Sequence, residues 1–336
     1  MALVVHPHFH HRATGVTRHT FGIVPRLQGH EVVCVGRLLP PGLPRLELAQ
    51  VLDRARREDV VWHAHRNNEL LYGLYLRARR PRLKVVATRH GSYPPSAYTR
   101  WLSRQADALI TLNAENAGWM QQPSVVVPHG VDTARFTPPV DRAKAYAALG
   151  LGGTHGVGVV GRVRENKGQL DFAQAVGPLL PAHPGWRAAL VGLVKPEDRG
   201  YAEQAVARTQ GALVLAGEHA DIERWYQGLS VVVQPSHGES FGLTFLEGMA
   251  SGCCVVSAKL FHLPDFIEHG RTGFLYPPRD VAALRTILEE LLADPARAAE
   301  VGARAAVVAR ERFGIEREAR AIEAVYAQVL AGRPRG

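Results

Sequence analysis

Two acidic residues follow an apolar run in the segment SHGESFGLTFLEGMASG, residues 236–252. Glu239 lies on a glycine-bounded turn, and Glu247 stands eight positions later in a helical pattern whose apolar neighbours disfavour a merely solvated position. Carboxylates accept hydrogen bonds from hydroxyl groups such as those of a sugar, and a helix N-terminus offers free N–H groups to hydroxyl and phosphate oxygens. This segment therefore predicts a ligand site made of Glu239, Ser240, Phe241, Gly242, Leu243 and Glu247.

Two basic residues occur in the segment GRVRENKGQLDFAQAV, residues 161–176, directly after the apolar run GVGVV. Arg162 offers a planar fork of donors and Lys167 a compact charge, so together they suit a diphosphate that has no metal ion to neutralise it. Basic loop residues are usually just solvated, so the prediction depends on their occurring together with the acidic turn.

Four histidines stand close together near the start of the chain, at His6, His8, His10 and His11. Zinc needs three or four converging ligands, whereas alternate residues of a strand point the same way without converging. We therefore predict no metal site here and favour contacts with an acceptor or a phosphate.

Short apolar runs, which alternate with amphipathic stretches, are the elements that must position these residues. Near-continuous Val, Ile and Leu runs separated by helices predict parallel strands that are buried on both faces, which is a doubly wound α/β sheet. The runs lie at 2–5, 31–35, 60–62, 84–88, 108–112 and 124–128, and then at 156–160, 187–191, 212–216, 230–234, 253–257 and 273–276. Ligands of such sheets bind beyond the carboxyl ends of the strands, where the residues named above fall.

A pause in this alternation predicts two domains. Residues 137–156 are rich in proline and glycine, as domain linkers are. We predict one Rossmann-like domain over 1–138 and a second over 139–315, with a cleft between them and a C-terminal helix, 316–336, that packs back on the first.

Composition excludes several classes of protein. Hydrophobic residues make up 46% of the 336 residues and charged residues 21%, which is typical of a soluble globular protein and not of a disordered chain. No apolar run reaches the roughly 18 residues that span a bilayer. The start MALVVHPHFHH lacks the features of a signal peptide, and Cys34, Cys253 and Cys254 lack the spacing of a disulfide framework or a zinc site. We therefore expect a cytoplasmic protein with buried, reduced cysteines.

Charge is distributed unevenly along the chain. Residues 1–140 carry 18 Lys and Arg against 9 Asp and Glu, so they account for the whole formal net charge of +9. The stretch YLRARRPRLK, residues 75–84, is the densest basic segment. It could rest on anionic headgroups at the inner face of the cytoplasmic membrane, or it is a solvated helix end with a favourable dipole interaction.

The acidic and basic segments together, in this order and at this separation, resemble the retaining glycosyltransferase family 4, which has the GT-B fold. The segment VVPHGVDTARFTP, residues 126–138, resembles the interdomain signature of that family, usually written with Asn where this chain has His129. The resemblance implies that Glu239 and Glu247 contact the donor sugar and ribose. It also implies that Arg162 and Lys167 hold the diphosphate.

Three segments point to a narrower group. VVWHAHRNNELLYGLYLR, SAYTRWLSRQADALITLN and ERWYQGLSVVVQPSHGESFGLTFLEGMASG are similar to bacterial lipopolysaccharide-core mannosyltransferases of family 4. Those enzymes carry comparable WHARRN, FTRWL and RWYRRL stretches. The resemblance implies a hexosyltransferase that takes mannose from GDP-mannose to a lipid-linked or oligosaccharide acceptor.

The resemblance also implies roles for residues of the first half. In the family a loop equivalent to residues 10–20 closes on the donor diphosphate, and a histidine often lies near the donor hexose and the reacting centre. The candidates are Gly15 for the close approach, His90 for the reacting centre, and Arg18, His63, Arg66 and Asn67 for the acceptor side. For each of these strand-end residues, the alternative is a side chain that only holds its turn.

The implied chemistry needs neither a cofactor nor a metal ion. Arg162 and Lys167 would stabilise the leaving diphosphate while Glu239 and the backbone amides near Phe241 and Gly242 position the hexose. The acceptor hydroxyl would then attack from the face of the leaving group, whose phosphate oxygen takes the proton.

Several alternatives stay open at this point. Within the family, the donor could be a UDP-sugar that carries glucose, galactose or an N-acetylhexosamine. Outside it, a sugar-nucleotide epimerase would need catalytic carboxylates that we do not find, and a catalytically dead paralogue would have lost the acidic or basic set. A basic protein that binds membranes or nucleic acid would suit the first half, but no nucleic-acid-binding module is recognisable, so we expect no nucleic-acid partner.

Overall fold

A computed structural model of the protein describes residues 1–12, 14–91, 93–239, 241–260 and 263–332. The chain divides into two compact units, of which the first comprises Met1–His129 with Ile315–Gly336 and the second Gly130–Gly314. Each unit contains a six-stranded parallel sheet. The predicted fold class, α/β with two doubly wound sheets, is therefore confirmed.

The first sheet is ordered β2-β1-β3-β4-β5-β6. Alternate residues of its strands enter two separate cores: Leu3 and Val5 pack on one face, and Val4 packs on the other. Helices must therefore cover both faces. The strands are β1 Leu3–His8, β2 Glu31–Gly36, β3 Val60–Ala64, β4 Leu83–Arg89, β5 Ala108–Thr111 and β6 Val125–Val126, and the helices α1 Gly15–Ile23, α2 Leu48–Arg54, α3 Asn67–Arg77, α4 Ala97–Arg104 and α5 Ala114–Met120.

The second sheet is ordered β12-β11-β10-β7-β8-β9, so the chain reverses direction across the sheet between β7 and β10. Such a switch point leaves a crevice at the carboxyl ends of the two strands. The strands are β7 His155–Val160, β8 Trp186–Val191, β9 Leu213–Gly217, β10 Val231–Gln234, β11 Cys254–Ala258 and β12 Phe274–Tyr276, and the helices α6 Arg142–Ala147, α7 Gln169–Val176, α8 Arg199–Arg208, α9 Ile222–Gly228, α10 Leu243–Ala250, α11 Val281–Ala293 and α12 Pro295–Arg312.

The last helix, α13 (Ile315–Leu330), belongs to the first unit. Its Ile322 and Tyr326 pack in the same core as Val4 of β1. Residues 130–138, which the sequence assigns to the first domain, instead belong to the second unit. There the backbone N–H of Val131 donates to the carbonyl of Phe313 at 2.8 Å.

Two further features of the sequence can be compared with the structure. Cys34, Cys253 and Cys254 are free and buried, as predicted. Across the described part of the chain, no helix combines the length and the apolar character that crossing a bilayer requires.

Candidate functional site

Two loops of the second unit, after β7 and after β10, lie against each other at the switch point of the sheet. Gly168 has a φ of +69°, and a Cβ atom there would lie 2.0 Å from the carbonyl oxygen of Pro235, so only glycine permits this approach. The backbone N–H of His237 donates to the carbonyl of Asn166 at 3.0 Å. The structure thus brings together the basic and the acidic segments.

Lys167 and Glu239 form an ion pair across these loops. Their side chains are only 22% and 13% exposed, and the hydroxyl of Ser236 also donates to Glu239 Oε1, at 3.1 Å. A half-buried pair of this kind is screened less by solvent than a surface pair. Both charged groups are thus held in place by the ion pair and remain partly exposed to solvent.

Arg162 follows β7 and is anchored by two acidic residues. Its Nη2 lies 2.9 Å from Asp198 Oδ2 and 3.5 Å from Glu197 Oε1. Its buried Nε has no hydrogen-bond partner among the described residues. Both ion pairs use Nη2, and the side chain is 34% exposed, so a ligand can still reach the guanidinium.

Helix α10 begins at the predicted turn. Gly242 caps it with a φ of +78°, and a Cβ atom there would lie 2.4 Å from Gln234 Nε2. Phe241 is 2% exposed, and its ring packs against Phe245 and Phe266, so this ring supports the turn from the core side. Leu243 opens the helix. Ser240 lies outside the described residues.

Glu247 points at Tyr226, whose hydroxyl donates to Glu247 Oε2 at 2.7 Å. Burial and the charge of Glu247 raise the pKa of the Tyr226 phenol well above its ordinary value, so it stays a donor. Gln234, at the end of β10, is 3% exposed, and neither of its amide atoms has a partner among the described residues. Buried polar atoms without partners cost free energy, and at a binding site they indicate groups that a ligand satisfies.

A cavity of about 400 Å³ opens in the first unit, where β3 and β4 end and α1 begins. Of the residues predicted for this half of the chain, Arg66, Asn67 and His90 line it. Arg66 Nη2 donates to Thr14 Oγ1 at 3.1 Å and Thr17 Oγ1 at 3.0 Å. Asn67 Nδ2 donates to Thr99 Oγ1 at 2.9 Å.

The charge of this cavity is positive. Arg66 Nη1 lies 3.2 Å from Glu69 Oε1, but Glu69 itself is fully buried and does not line the cavity. Arg89 also lines the cavity; burial lowers its pKa, and its buried Nε has no partner among the described residues. Two arginines and no carboxylate among the described lining residues suit an anionic ligand.

Gly15, Arg18 and His63 do not line this cavity. Gly15 and Arg18 lie exposed on the first turns of α1. His63 is fully buried, and its ring nitrogens contact the Tyr326 hydroxyl at 2.6 Å and Thr88 Oγ1 at 2.7 Å.

A chain of buried histidines begins in the cavity lining, at His65 and His90, and continues into the core of the first unit. His6 Nδ1 lies 3.0 Å from His65 Nε2, and His65 Nδ1 lies 3.0 Å from His90 Nε2. His90 Nδ1 lies 3.2 Å from His129 Nε2, and His129 Nδ1 lies 2.9 Å from Glu318 Oε1. Both ring nitrogens of His90 are thus engaged, so a ligand reaches them only by breaking the chain.

These imidazoles are neutral near pH 7. Burial lowers the pKa of His6 to about 3, and burial followed by the charge of His19 lowers that of His129 to about 4. Burial also places the pKa values of His65 and His90 well below 6.5. Burial alone would raise the pKa of Glu318, but His19 and His129 overcome it and lower the value to about 2.

The side chains of His6, His8, His10 and His11 do not converge on one another, as their alternate positions along the chain predict. His8 contacts Thr17 and the carbonyl of Arg37, whereas His10 and His11 are at the surface. His6 instead joins residues far away in the chain.

Sequence reasoning missed Thr14, Thr17, His65, Arg89 and Glu318. The two threonines lie in the loop and helix start where Gly15 was singled out, and His65 and Arg89 directly precede Arg66 and His90. Each of these four residues is therefore the sequence neighbour of a predicted site residue. Glu318 had no local signal, because its partners His19 and His129 are more than 180 positions away in the sequence.

Comparison with known proteins finds relatives along nearly the whole chain. The model of glycosyltransferase family 4 matches residues 7–135, and the model of glycosyl transferases group 1 matches residues 154–294. The chain is 39% identical to the lipopolysaccharide core biosynthesis mannosyltransferase LpcC of Rhizobium leguminosarum bv. viciae, with 97% of this chain and 96% of that one covered. It is 33% identical to the lipopolysaccharide core biosynthesis mannosyltransferase LpsB of Rhizobium meliloti, with 97% of each covered.

Solved structures show the same fold. Anabaena Alr3699/HepE in complex with UDP and glucose superposes with a TM-score of 0.82 at 20% identity, over 98% of this chain and all of that one. The C-terminal domain of the group 1 glycosyl transferase LpcC from Francisella tularensis matches 55% of this chain and 99% of its own length, with a TM-score of 0.52 and 29% identity.

Proposed function

The chain belongs to glycosyltransferase family 4, and from that premise we propose that it is a retaining hexosyltransferase of lipopolysaccharide-core assembly that takes mannose from GDP-mannose. The relatives of 39% and 33% identity along nearly their whole length, both lipopolysaccharide-core mannosyltransferases, support this choice of sugar and acceptor class. The assignment of the donor site rests on the ion pair between Lys167 and Glu239, which links two loops of the second unit.

The donor diphosphate is assigned to Arg162 and Lys167. Phosphate oxygens would accept from the Arg162 guanidinium and from the Lys167 ammonium, so two cations supply the neutralisation that a metal ion supplies elsewhere. The transfer is therefore proposed to need no metal and no cofactor. The rate of transfer would then come from positive charge that is fixed where negative charge develops on the leaving diphosphate.

The hexose and ribose are assigned to the acidic turn and helix α10. Glu239, once released from Lys167, would accept from a hexose hydroxyl, and Glu247 from the ribose hydroxyls while Tyr226 orients it. The amide of Gln234, which has no partner among the described residues, and the backbone N–H groups at the start of α10 would bind further oxygens.

The acceptor is assigned to the cavity of the first unit, and its proposed class is an anionic saccharide. Arg66 and Arg89 would bind a phosphate or a carboxylate, and Asn67 sugar hydroxyls. Core saccharides of this kind are attached to lipid, so the protein would work at a membrane surface without crossing it.

Helices α3 and α4, which pack against each other, carry a surface suited to that position. Tyr75 is 51% exposed, Tyr98 50% and Trp101 55%, and the guanidinium of Arg79 lies 3.8 Å from the centre of the Tyr75 ring. Aromatic side chains with arginines beside them are typical of segments that lie in the interface of an anionic membrane. We propose that this aromatic–arginine face contacts the headgroups.

The choice of donor is tested by thermal unfolding with GDP, UDP, ADP and their sugar forms. A ligand at about 100 times its Kd that binds only the folded protein adds about 2.7 kcal/mol of stability, which is a readable shift. We expect stabilisation by GDP and GDP-mannose alone, without added metal. Stabilisation by UDP species alone would show that the donor is a UDP-sugar and not GDP-mannose. No response to any nucleotide would refute the proposed transferase activity.

A further inference from the structure

A second, smaller cavity lies among the buried histidines of the first unit. Its volume is about 10 Å³, which is room for roughly one water molecule or one ion. Five histidines and Glu318 line it. Thr20 lines it too, is 4% exposed, and has a hydroxyl oxygen without a partner among the described residues. Because a buried hydroxyl without a partner costs free energy, the cavity is suited to an occupant that contacts polar atoms.

We propose that His19, His129 and Glu318 bind one divalent transition-metal ion of the zinc type in this cavity. His19 Nε2 lies 2.8 Å and His129 Nδ1 2.9 Å from Glu318 Oε1, and the three donor atoms lie within 4.8 Å of one another. They come from α1, from the segment after β6 and from α13. The fold therefore brings three distant parts of the chain to one point.

The donor set selects the class of ion. Two imidazole nitrogens and one carboxylate oxygen suit Zn²⁺ and similar ions, whereas Mg²⁺ and Ca²⁺ prefer oxygen alone. Bonds of about 2.1 Å place neighbouring ligand atoms about 3.0 to 3.4 Å apart, depending on the angle between them. The observed separations of 2.8 and 2.9 Å need to widen by only a few tenths of an ångström. The hydroxyl of Thr20, which also lines the cavity, would add a further ligand.

The surroundings support the His129 ring as a metal ligand. The other nitrogen of His129, Nε2, lies 3.2 Å from His90 Nδ1, and His90 Nε2 lies 3.0 Å from His65 Nδ1. Histidines that bind metals generally donate their second N–H to an acceptor, which fixes the ring orientation. A neutral imidazole has one acceptor nitrogen, so His90 Nδ1 can serve as that acceptor.

A neighbouring trio, His6, His63 and His65, also brings three donor atoms within 4.8 Å. It has no carboxylate, and the Tyr326 hydroxyl already lies between its members, 3.2 Å from His6 Nε2 and 2.6 Å from His63 Nδ1. The Glu318 trio is therefore the proposed site.

This ion would tie α13 to α1 within the first unit, whereas the diphosphate is assigned to residues of the second unit. Its expected effect is on stability. Binding is measured without any sugar nucleotide, so its result does not depend on the proposed transferase activity.

The experiment uses the full chain without an affinity tag, stripped of metal with a chelator. ZnCl₂ alone is titrated by calorimetry and thermal unfolding, and CoCl₂ is followed by its visible absorption. We expect one equivalent to bind, a higher melting temperature, and cobalt bands typical of four or five ligands of mixed nitrogen and oxygen type.

The variants His19→Gln and Glu318→Gln should each weaken zinc binding by more than about 100-fold, because loss of an outer partner alone can weaken it by that much. The controls are Glu316→Gln, an exposed carboxylate of the same helix, and His11→Gln, an exposed imidazole. Both should bind zinc as the unaltered chain does. If a variant unfolds, as judged by circular dichroism, His129→Gln serves in its place. Absence of binding, or binding that the ligand variants leave unchanged, would overturn the proposal.

Discussion

Lys167 and Glu239 are joined in an ion pair that links the loop after β7 to the loop after β10. Each was assigned a separate role from its own segment, and the structure shows that they neutralise one another. A diphosphate carries more negative charge than one carboxylate, so its arrival would draw the ammonium away and release Glu239 to accept a hydrogen bond from a sugar. On the proposed assignment, the donor would break this ion pair and contact both side chains.

Replacement of Lys167 or Arg162 by Ala should lower kcat by about 100- to 1,000-fold, which is the typical loss when one donor to a developing negative charge is removed. Neither side chain belongs to an apolar core, so the circular dichroism spectrum should be unchanged. Initial rates with a radiolabelled sugar nucleotide measure the effect. Lys144→Ala is the control, because Lys144 is an exposed lysine on α6 of the same unit. Rates within about threefold of the unaltered enzyme for both variants would contradict the assignment.

Arg89→Ala should raise the KM for an anionic acceptor by about 10- to 100-fold, since a charge-assisted hydrogen bond contributes about 1.5 to 3 kcal/mol. The KM for the donor should stay the same, because Arg89 belongs to the cavity of the first unit. Arg104→Ala, which removes an exposed arginine of α4, should change neither constant. An equal rise in both KM values for Arg89→Ala would contradict the assignment of this cavity to the acceptor.

The strands were predictable because each is a short, local run of apolar residues, and Val231–Gln234 or Cys254–Ala258 can be read off directly. The contact between Lys167 and Glu239 was not predictable, since it depends on how closely Gly168 lets two loops approach. The pairing of His19 with Glu318 joins residues 299 positions apart, and no periodicity signals it. One signal was present: His129 replaces the usual Asn of its signature, and it is His129 that contacts Glu318.

Trp101→Ser and Tyr75→Ser should each weaken binding to vesicles of phosphatidylglycerol, because they remove amphipathic rings from the aromatic–arginine face. A several-fold loss is expected in a sedimentation assay, and added salt should weaken binding further, since the arginines act through charge. Val307→Ser is the control, because Val307 is 50% exposed but lies on α12 of the second unit. Vesicle binding that is equal for all three variants would refute the proposed face.

Gly73 and Gly118 should respond in opposite ways to replacement by Ala. A Cβ atom at Gly73 would lie 2.4 Å from Cδ1 of the buried Trp62, whereas nothing lies within 4 Å of one at Gly118. Both glycines are helical. Gly118→Ala should therefore gain about 0.5 to 1 kcal/mol of stability through helix propensity, and Gly73→Ala should lose about 1 to 3 kcal/mol through overpacking. Urea unfolding measures both, and a gain for Gly73→Ala would show that Trp62 can move aside.

Acid should destabilise the protein through its buried histidines. The folded-state pKa values of His6 and His129, about 3 and 4, lie below the ordinary value of 6.5, so between these limits the unfolded chain binds more protons. The free energy of unfolding must then fall as the pH drops below about 6.5. Glu318 acts in the same direction, because its folded-state pKa of about 2 lies below 4.5, and its contribution is lost as the pH falls from 4.5 towards 2.

The variant His129→Asn isolates one of these groups. It removes an imidazole, so the slope of stability against pH between 6.5 and 4 should become shallower by up to about 1.4 kcal/mol per pH unit, the value for one proton. Urea unfolding at a series of pH values, with chelator present to exclude metal binding, gives this slope. His11→Gln removes an exposed imidazole and should leave the slope as it is. If His129→Asn also leaves the slope unchanged, His129 takes up a proton as readily in the folded as in the unfolded chain. That result would refute the conclusion that the buried histidines are neutral.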